Sequence, residues 1–166
     1  LLMNAGDKPV FSKNGLVTTI GWGLNGKITY VLEGSVFVAG AAIQWLRDEL
    51  HLVDSASDTE YFAGKVPDAN GCYVVPAFTG LGAPYWNSEA KGALIGITRT
   101  TRKAEMVCAG VECIAYQIAD VVNAMSQDAK TEIQELRVDG GPTRNQYLMQ
   151  FQSDILDRKV LVPDAE

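Results

Sequence analysis

The sequence predicts an α/β fold in which a mixed β-sheet opens with an antiparallel meander and is flanked by helices. Three observations support this class. The first part of the chain contains three short strand-like segments, the middle contains segments with apolar residues at helical spacing, and the last part alternates strand, helix and strand. With 166 residues, 47% of them hydrophobic, the chain has the length of about one domain and enough apolar residues for a buried core.

The meander is predicted from short strands at residues 1–4, 16–21 and 27–32. The pair Asn25-Gly26 lies between the second and third of these segments, and Asn-Gly is a strong signal for a two-residue hairpin turn. We therefore expect the three strands to pair in sequence order.

Two helices are expected after the meander. Ser35 is suited to cap a helix over residues 36–50, because its side-chain oxygen can accept a hydrogen bond from a free amide of the first turn. Ser57 and Glu60 have the spacing of a capping box, which predicts a short second helix ending near Ala63. The expected apolar face of the first helix consists of Phe37, Ala41, Trp45 and Leu46.

Strands are predicted at residues 73–76 and 92–98, with a loop rich in glycine and proline over residues 78–90 between them. Tyr85 and Trp86 follow a proline in this loop, a composition suited to a mobile wall of a cleft or to an interface. The alternative is that Trp86 simply packs under the loop.

The longest helix is predicted over residues 102–127, with Thr101 as its cap. Glu112 in this helix either accepts a hydrogen bond from a neighbouring strand or loop, or is a solvated or capped carboxylate. The expected buried face consists of Val107, Val111, Ile114, Ile118, Val121 and Met125.

The final strand, helix and strand are predicted at residues 135–138, 144–156 and 159–162, and the turn after the first strand is rich in glycine. Gly140 and Gly141 lack a Cβ, so the backbone there can adopt unusual dihedral angles and approach a flat ligand. The spacing alone also fits an ordinary strand-to-helix turn, in which Asp139 either holds the turn or binds magnesium through water.

Asn145 lies four residues after Gly141, in the first helical turn, and its amide can both donate to and accept from an adenine edge or a ribose hydroxyl. Gly40 and Gln44 are also four residues apart and so share a helix face, where bare backbone lies beside a polar side chain. Alternatively, Gly40 only lets another helix pack closely. The P-loop and dinucleotide-binding motifs are absent from the sequence.

Charge and composition exclude several classes of function. A net charge of −6 and a pI of about 4.8, with no cluster of basic residues, argue against binding to nucleic acid or an anionic membrane. No apolar run in the sequence has the length of a membrane span, and no signal peptide is expected. Cys72, Cys108 and Cys113 lack metal-site spacing and are typical of reduced residues in a cytoplasmic protein. His51, the single histidine, is expected to interact with a helix C-terminus rather than to catalyse a reaction.

Four segments, at residues 30–50, 73–86, 92–99 and 137–156, resemble the FGGY carbohydrate kinases and among them the glycerol kinases. The resemblance is collinear over residues 1–166. It implies the ribonuclease-H-like fold of the actin, sugar kinase and heat-shock ATPase superfamily, with this chain as most of the C-terminal, ATP-binding domain. Both ends of the sequence look cut from a longer chain, so the N-terminal substrate domain and the extreme C-terminus are expected to lie outside it.

The resemblance also implies site residues and partners. Gly40, Gln44, Gly141 and Asn145 match nucleotide contacts of the family, and Gly140 is the companion glycine. ATP and Mg²⁺ are the implied cofactors, and the implied reaction transfers the γ-phosphoryl group of ATP to glycerol, giving sn-glycerol 3-phosphate. The general base, the glycerol-binding residues and a phosphate-binding turn are expected before residue 1. We therefore assign no catalytic residue to this chain and expect it to be inactive alone.

The complete enzyme is expected to be a homo-oligomer that binds ATP, ADP and glycerol. Two alternatives are an FGGY kinase for another polyol or sugar and a non-catalytic interaction domain. Gly110 and the segment 86–92 depart from the family pattern. Gly110 should reduce helix stability by about 1 kcal/mol relative to alanine. The resemblance does not predict the detailed conformation of the loop at 86–92.

Overall fold

The computed structural model describes residues 1–163, which form seven strands and four helices with a 3₁₀ turn before the last helix. The strands are β1 (Leu2–Gly6), β2 (Val17–Leu24), β3 (Lys27–Glu33), β4 (Tyr73–Val75), β5 (Ala93–Ile95), β6 (Glu135–Arg137) and β7 (Lys159–Leu161). The helices are α1 (Gly40–Asp48), α2 (Asp58–Ala63), α3 (Lys103–Ala129) and α4 (Gln146–Leu156), and the 3₁₀ turn is Gly141–Arg144.

The first sheet is antiparallel, as predicted, but its strand order is β1-β3-β2, so the expected meander order is wrong. The hairpin between β2 and β3 is confirmed, with positive φ angles of 51° at Asn25 and 74° at Gly26. The connection from β1 to β2 crosses to the far side of β3 because it is anchored on α3. There the Asp128 carboxylate accepts hydrogen bonds from the Lys13 amide and the Asn14 side chain.

Helix α1 begins at Gly40, four residues later than expected, and Ser35 does not cap it. The Ser35 carbonyl accepts a hydrogen bond from the Ala83 amide at 2.9 Å, and the Val38 carbonyl accepts one from the Gln117 side chain at 2.8 Å. These long-range bonds hold the segment before α1 out of the helix. The predicted apolar face is consequently wrong in part: Ala42 and Leu46 are buried, whereas Ala41 and Phe37 are exposed.

Ser57 is the N-cap residue of α2, as predicted, but its side chain does not complete the capping box, and the N-cap residue of α3 is Arg102 rather than Thr101. The Ser57 side chain makes no cap bond; instead, the Asp58 carboxylate accepts from the Asp54 and Ser55 amides. At α3, the Glu105 carboxylate accepts from the Arg102 amide at 3.0 Å, so the cap is one residue later than expected. In both cases a carboxylate inside the first turn, which also suits the positive end of the helix dipole, takes the hydrogen bonds.

Helix α3 forms the centre of the fold and contacts α1, α2, α4 and β4. Its buried face is confirmed: Val107, Val111, Ile114, Val121 and Met125 are buried, and Ile118 packs against the same core partly buried. The regular apolar spacing of this helix therefore predicted its packing correctly.

The unit β6-α4-β7 is also confirmed, with β6 and β7 parallel. Strands β4 and β5 form a separate antiparallel pair. The α/β class with an antiparallel opening and a parallel end is therefore confirmed, although the described strands lie in three sheets. Among residues 1–163, no helix is long and apolar enough to cross a membrane.

Candidate functional site

A cleft of about 450 Å³ lies between α1, α2, the 3₁₀ turn and the start of α4. All four predicted site residues border this cleft. Gly40 and Gln44 lie on α1, whereas Gly141 and Asn145 lie about a hundred positions later, at the 3₁₀ turn and the start of α4. The cleft is lined by Gly40, Ile43, Gln44, Arg47, Ala56, Ser57, Thr59, Glu60, Gly141, Pro142, Arg144, Asn145 and Leu148.

The glycines of the cleft border open space. Among the atoms of residues 1–163, a Cβ built on Gly141 would meet none within 4 Å, and one built on Gly40 would meet only Pro142 Cγ at 3.9 Å. Gly40 is thus not needed for close helix packing, and that alternative is wrong. Gly140 has φ 101° and ψ 174°, a conformation that favours glycine, and its amide donates to Asp139 Oδ1 at 2.7 Å. Asp139 therefore holds the turn.

Asn145 is the N-cap of α4 rather than a residue of its first turn, with φ −84° and ψ 101°. Its Oδ1 accepts a hydrogen bond from the Leu148 amide at 2.9 Å, and its Nδ2 donates one to Thr59 Oγ1 at 3.1 Å. The amide is therefore already oriented by the protein. With respect to residues 1–163, one Nδ2 hydrogen and one Oδ1 lone pair remain for a ligand, because a carboxamide offers two donors and two acceptor sites.

Sequence reasoning missed Thr59, Arg47 and the other residues that complete the cleft wall. No spacing signal could have identified Thr59, since its hydroxyl meets Asn145 across 86 positions. Arg47 makes a two-point contact with Asp48, Nε to Oδ1 at 2.6 Å and Nη2 to Oδ2 at 2.9 Å. The hydrogen bonds that Arg47 donates to Asp48 raise the pKa of Arg47 and lower the pKa of Asp48, so this edge of the cleft keeps a charged pair.

The loop at residues 78–90 does not line this cleft, and Trp86 is half-exposed rather than packed underneath. The Trp86 Nε1 donates to the Gly15 carbonyl at 2.5 Å, and its ring meets Phe37 edge-on at 6.2 Å. Asn87 Oδ1 accepts hydrogen bonds from the Glu89 and Ala90 amides at 3.0 Å each. These bonds order the part of the loop that departs from the family pattern.

Glu112 is buried, with 4% of its surface exposed, and both alternatives for it are wrong because its partners lie on helices. The Tyr147 hydroxyl donates to Glu112 Oε1 at 2.8 Å, and the Cys108 thiol donates to it at 3.3 Å. Burial raises the pKa of Cys108 to about 12 and also raises that of Tyr147. A thiol with so high a pKa is a poor nucleophile, so this cluster is structural.

His51 Nδ1 lies 3.2 Å from the Arg47 carbonyl at the end of α1, which matches its predicted place at a helix C-terminus. The three cysteines are free and buried. No group of three or more histidine, cysteine or acidic side chains in the described part of the chain could hold a metal ion.

Known proteins resemble this chain over nearly its full length. The glycerol kinase of Halorhodospira halophila is 58% identical over 163 residues, and that of Natranaerobius thermophilus is 60% identical over 163 residues; each match covers 98% of this chain. The chain spans about a third of the length of these relatives, 32% and 33% respectively.

Solved structures agree with this relationship. The crystal structure of Plasmodium falciparum glycerol kinase with ADP has a TM-score of 0.92 and 38% identity, and the match covers 99% of this chain and 33% of that one. A xylulose kinase from Lactobacillus acidophilus has a TM-score of 0.83 at 21% identity, with 99% of this chain and 33% of that one covered, and so shows the shared fold alone. The predicted sugar-kinase fold is therefore confirmed. The model of the FGGY family of carbohydrate kinases, C-terminal domain, matches residues 1–166, and the chain belongs to this family.

Proposed function

We propose that the cleft binds the adenosine part of ATP, in a glycerol kinase that transfers the γ-phosphoryl group of ATP to a terminal hydroxyl of glycerol and yields sn-glycerol 3-phosphate. The observation on which the substrate rests is the 58% and 60% identity to glycerol kinases over 98% of the chain. Sugar-kinase structures with other substrates, such as the xylulose kinase at 21% identity, support only the fold.

The geometry of the cleft supports an adenosine ligand. Gly40 and Gly141 leave open space where side chains would otherwise stand, so a flat base can approach the backbone. Gln44 and Asn145 bring carboxamides to the same space, and carboxamides match the donor and acceptor edge of adenine. The Plasmodium relative, whose structure includes ADP, has the same fold over 99% of this chain.

Catalysis is assigned to parts of the enzyme beyond this chain. Phosphoryl transfer depends on positioning and charge neutralisation around the γ-phosphate, with an aspartate as the acceptor of the hydroxyl proton. We propose that this base, the glycerol-binding residues and the phosphate-binding turn belong to the other two thirds of the enzyme. Residues 1–163 contain no metal-binding cluster and Asp139 is engaged in its turn, so no Mg²⁺ ligand is assigned to this chain.

Cellular location and assembly are further parts of the proposal. Three free, buried cysteines suit a reducing compartment such as the cytoplasm. The complete enzyme is proposed to be a homo-oligomer, which light scattering on the purified protein would measure directly.

The activity is tested with the complete protein, ATP and Mg²⁺, against glycerol, xylulose and gluconate. We expect turnover with glycerol at a kcat/KM at least about a hundredfold higher than with the other two, because a site shaped for glycerol has neither space nor hydrogen-bond partners for the extra carbons and hydroxyls of xylulose and gluconate. A preference for xylulose or gluconate would identify another FGGY kinase. Binding of ADP without any turnover would instead indicate a non-catalytic domain.

The site is tested by Asn145→Ala in the same enzyme. This change should raise the KM for ATP about tenfold and leave the KM for glycerol within about twofold. The reason is that the hydrogen bonds of one neutral amide contribute roughly 1–2 kcal/mol to the binding free energy. Asn145→Ser is the matched control, because serine retains an N-cap acceptor but not the amide. Equal effects of Asn145→Ala on both KM values would contradict the assignment.

A further inference from the structure

We propose that Thr59 is a positioning residue for the nucleotide: it fixes the direction in which the Asn145 amide faces and thereby sets the affinity for ATP and ADP. This inference rests on the proposed function of the cleft. Thr59 lies on α2, whereas Asn145 caps α4, so the contact joins two walls of the cleft.

The neighbours of the Thr59 hydroxyl determine where it donates and where it accepts a hydrogen bond. The residue is 1% exposed, and its Oγ1 donates to the Ala56 carbonyl at 2.6 Å. A hydroxyl has one proton, so the oxygen can only accept from its other neighbour. The group of Asn145 that faces Thr59 must therefore be the NH₂, at 3.1 Å.

The opposite end of the Asn145 amide is fixed in the same way. The Leu148 amide can only donate, and Asn145 Oδ1 accepts from it at 2.9 Å. A flipped amide would place its NH₂ against the Leu148 N–H and its oxygen against the Thr59 lone pairs. Both hydrogen bonds would be lost, two donors would face each other at Leu148 and two acceptors at Thr59, so only one orientation is stable.

This single orientation decides what the cleft offers to a ligand. The second Nδ2 hydrogen and the second Oδ1 lone pair point away from Thr59 and Leu148 and keep fixed identities as donor and acceptor. If Thr59 lost its hydroxyl, the amide would keep one anchor instead of two, and part of the binding free energy would be spent on ordering it.

The test is Thr59→Val, which replaces the hydroxyl by a methyl group of similar size, in the complete enzyme. It should raise the Kd for ADP and the KM for ATP about fivefold, the loss typical of one hydrogen bond. The kcat and the KM for glycerol should stay within about twofold. Thr59→Ser restores the acceptor and should return the ADP affinity to within about twofold of the original value. If Thr59→Val does not fold, as judged by circular dichroism, Thr59→Ala removes the same hydroxyl with the same expected result.

A double mutant separates positioning from a general structural effect. If Thr59 acts through Asn145, the variant Thr59→Val with Asn145→Ala should bind ADP no more weakly than Asn145→Ala alone. An additional fivefold loss in the double mutant would overturn the inference, as would unchanged ADP affinity in Thr59→Val or a failure of Thr59→Ser to restore it. Unchanged ADP affinity in Asn145→Ala would instead refute the proposed site itself, so the two failures are distinguishable.

Discussion

The glycines around the cleft and the glycine in the middle of α3 lack a side chain for opposite reasons. At Gly40 and Gly141, an added Cβ would meet either one carbon at 3.9 Å or nothing within 4 Å. At Gly110, an added Cβ would lie 2.6 Å from Leu46 Cδ1, because that leucine already fills the space. The first pair keeps a surface open to a ligand, whereas the second glycine lets α1 and α3 approach.

Sequence alone does not distinguish these two roles. Helix propensity predicts that Gly110→Ala would stabilise the protein by about 1 kcal/mol. The packing predicts the opposite, because Leu46 is 1% exposed and lies inside the core with Val53 and Val107. At Gly110 we therefore expect the cost of overpacking to exceed the gain in helix propensity. At Gly141 neither packing nor propensity explains the glycine, which instead leaves space for a ligand.

The largest effect is expected for Gly141→Val. The branched side chain would occupy the edge of the cleft and should weaken ADP binding about 50-fold, or about 2.3 kcal/mol, comparable with the cost of overpacking a filled site. Isothermal titration calorimetry measures the affinity, and the melting temperature should shift by no more than about 3 °C. Loss of folding together with binding would place Gly141 in the same category as Gly110.

The second effect is expected for Gly110→Ala, which should lower the free energy of unfolding by about 1–2 kcal/mol as the overpacking cost exceeds the gain in propensity. Denaturant unfolding followed by circular dichroism measures this change. The control is a double-mutant cycle with Leu46→Ala, in which the new methyl group should partly fill the cavity and give a favourable coupling. Stabilisation by Gly110→Ala alone would contradict the role assigned to Leu46.

The difference between these glycines shows what sequence reasoning could and could not predict. Regular apolar spacing predicted the buried face of α3 and the unit β6-α4-β7, because those signals are local. The resemblance to a family gave the four residues that the fold brings to one cleft. The start of α1 was missed because the Ser35 carbonyl is engaged by Ala83, 48 residues away.

Other failures have the same physical origin. The order of the first sheet depends on Asp128 at the far end of α3, and the orientation of Asn145 depends on a hydroxyl in α2. Each is a hydrogen bond between distant parts of the chain, and periodicity and capping rules describe only neighbours within a few residues.

A third effect is expected at Asp128, which is remote from the cleft and so tests whether stability and binding separate. Burial raises the pKa of this carboxyl, but hydrogen bonds from Ser12, Lys13 and Asn14 outweigh it, and the net pKa is below its ordinary value of 3.8. Asp128→Asn should lower the free energy of unfolding at pH 7 by about 1 kcal/mol, a modest value because the group is partly exposed. ADP affinity should be unchanged.

The pH dependence of this variant follows from the direction of the pKa shift. A carboxyl with a lowered folded pKa stabilises the protein fully above its ordinary pKa and loses that contribution as the pH falls through the folded pKa. The difference between the original protein and Asp128→Asn should therefore be constant above about pH 5 and shrink below about pH 4. A difference that grows on acidification would show that the loop anchored on α3 does not depend on the ionised carboxylate.

The smallest effect is expected for Gly40→Ala. The space around Gly40 is intermediate between the open surface at Gly141 and the filled core at Gly110. Its Cβ would be at ordinary contact distance from Pro142 Cγ, so the free energy of unfolding should change by less than about 0.5 kcal/mol. The methyl group would still stand at the edge of the cleft, and the Kd for ADP should rise about threefold, or about 0.65 kcal/mol.

Gly26→Ala is a control outside the cleft. Among residues 1–163, a Cβ added at Gly26 would meet nothing within 4 Å, but the φ of 74° opposes alanine. That control should lower stability without changing ADP affinity, because left-handed backbone is strained for alanine. If Gly40→Ala lowered stability and Gly26→Ala lowered ADP affinity, open space around a glycine would not identify a ligand-binding surface in this protein.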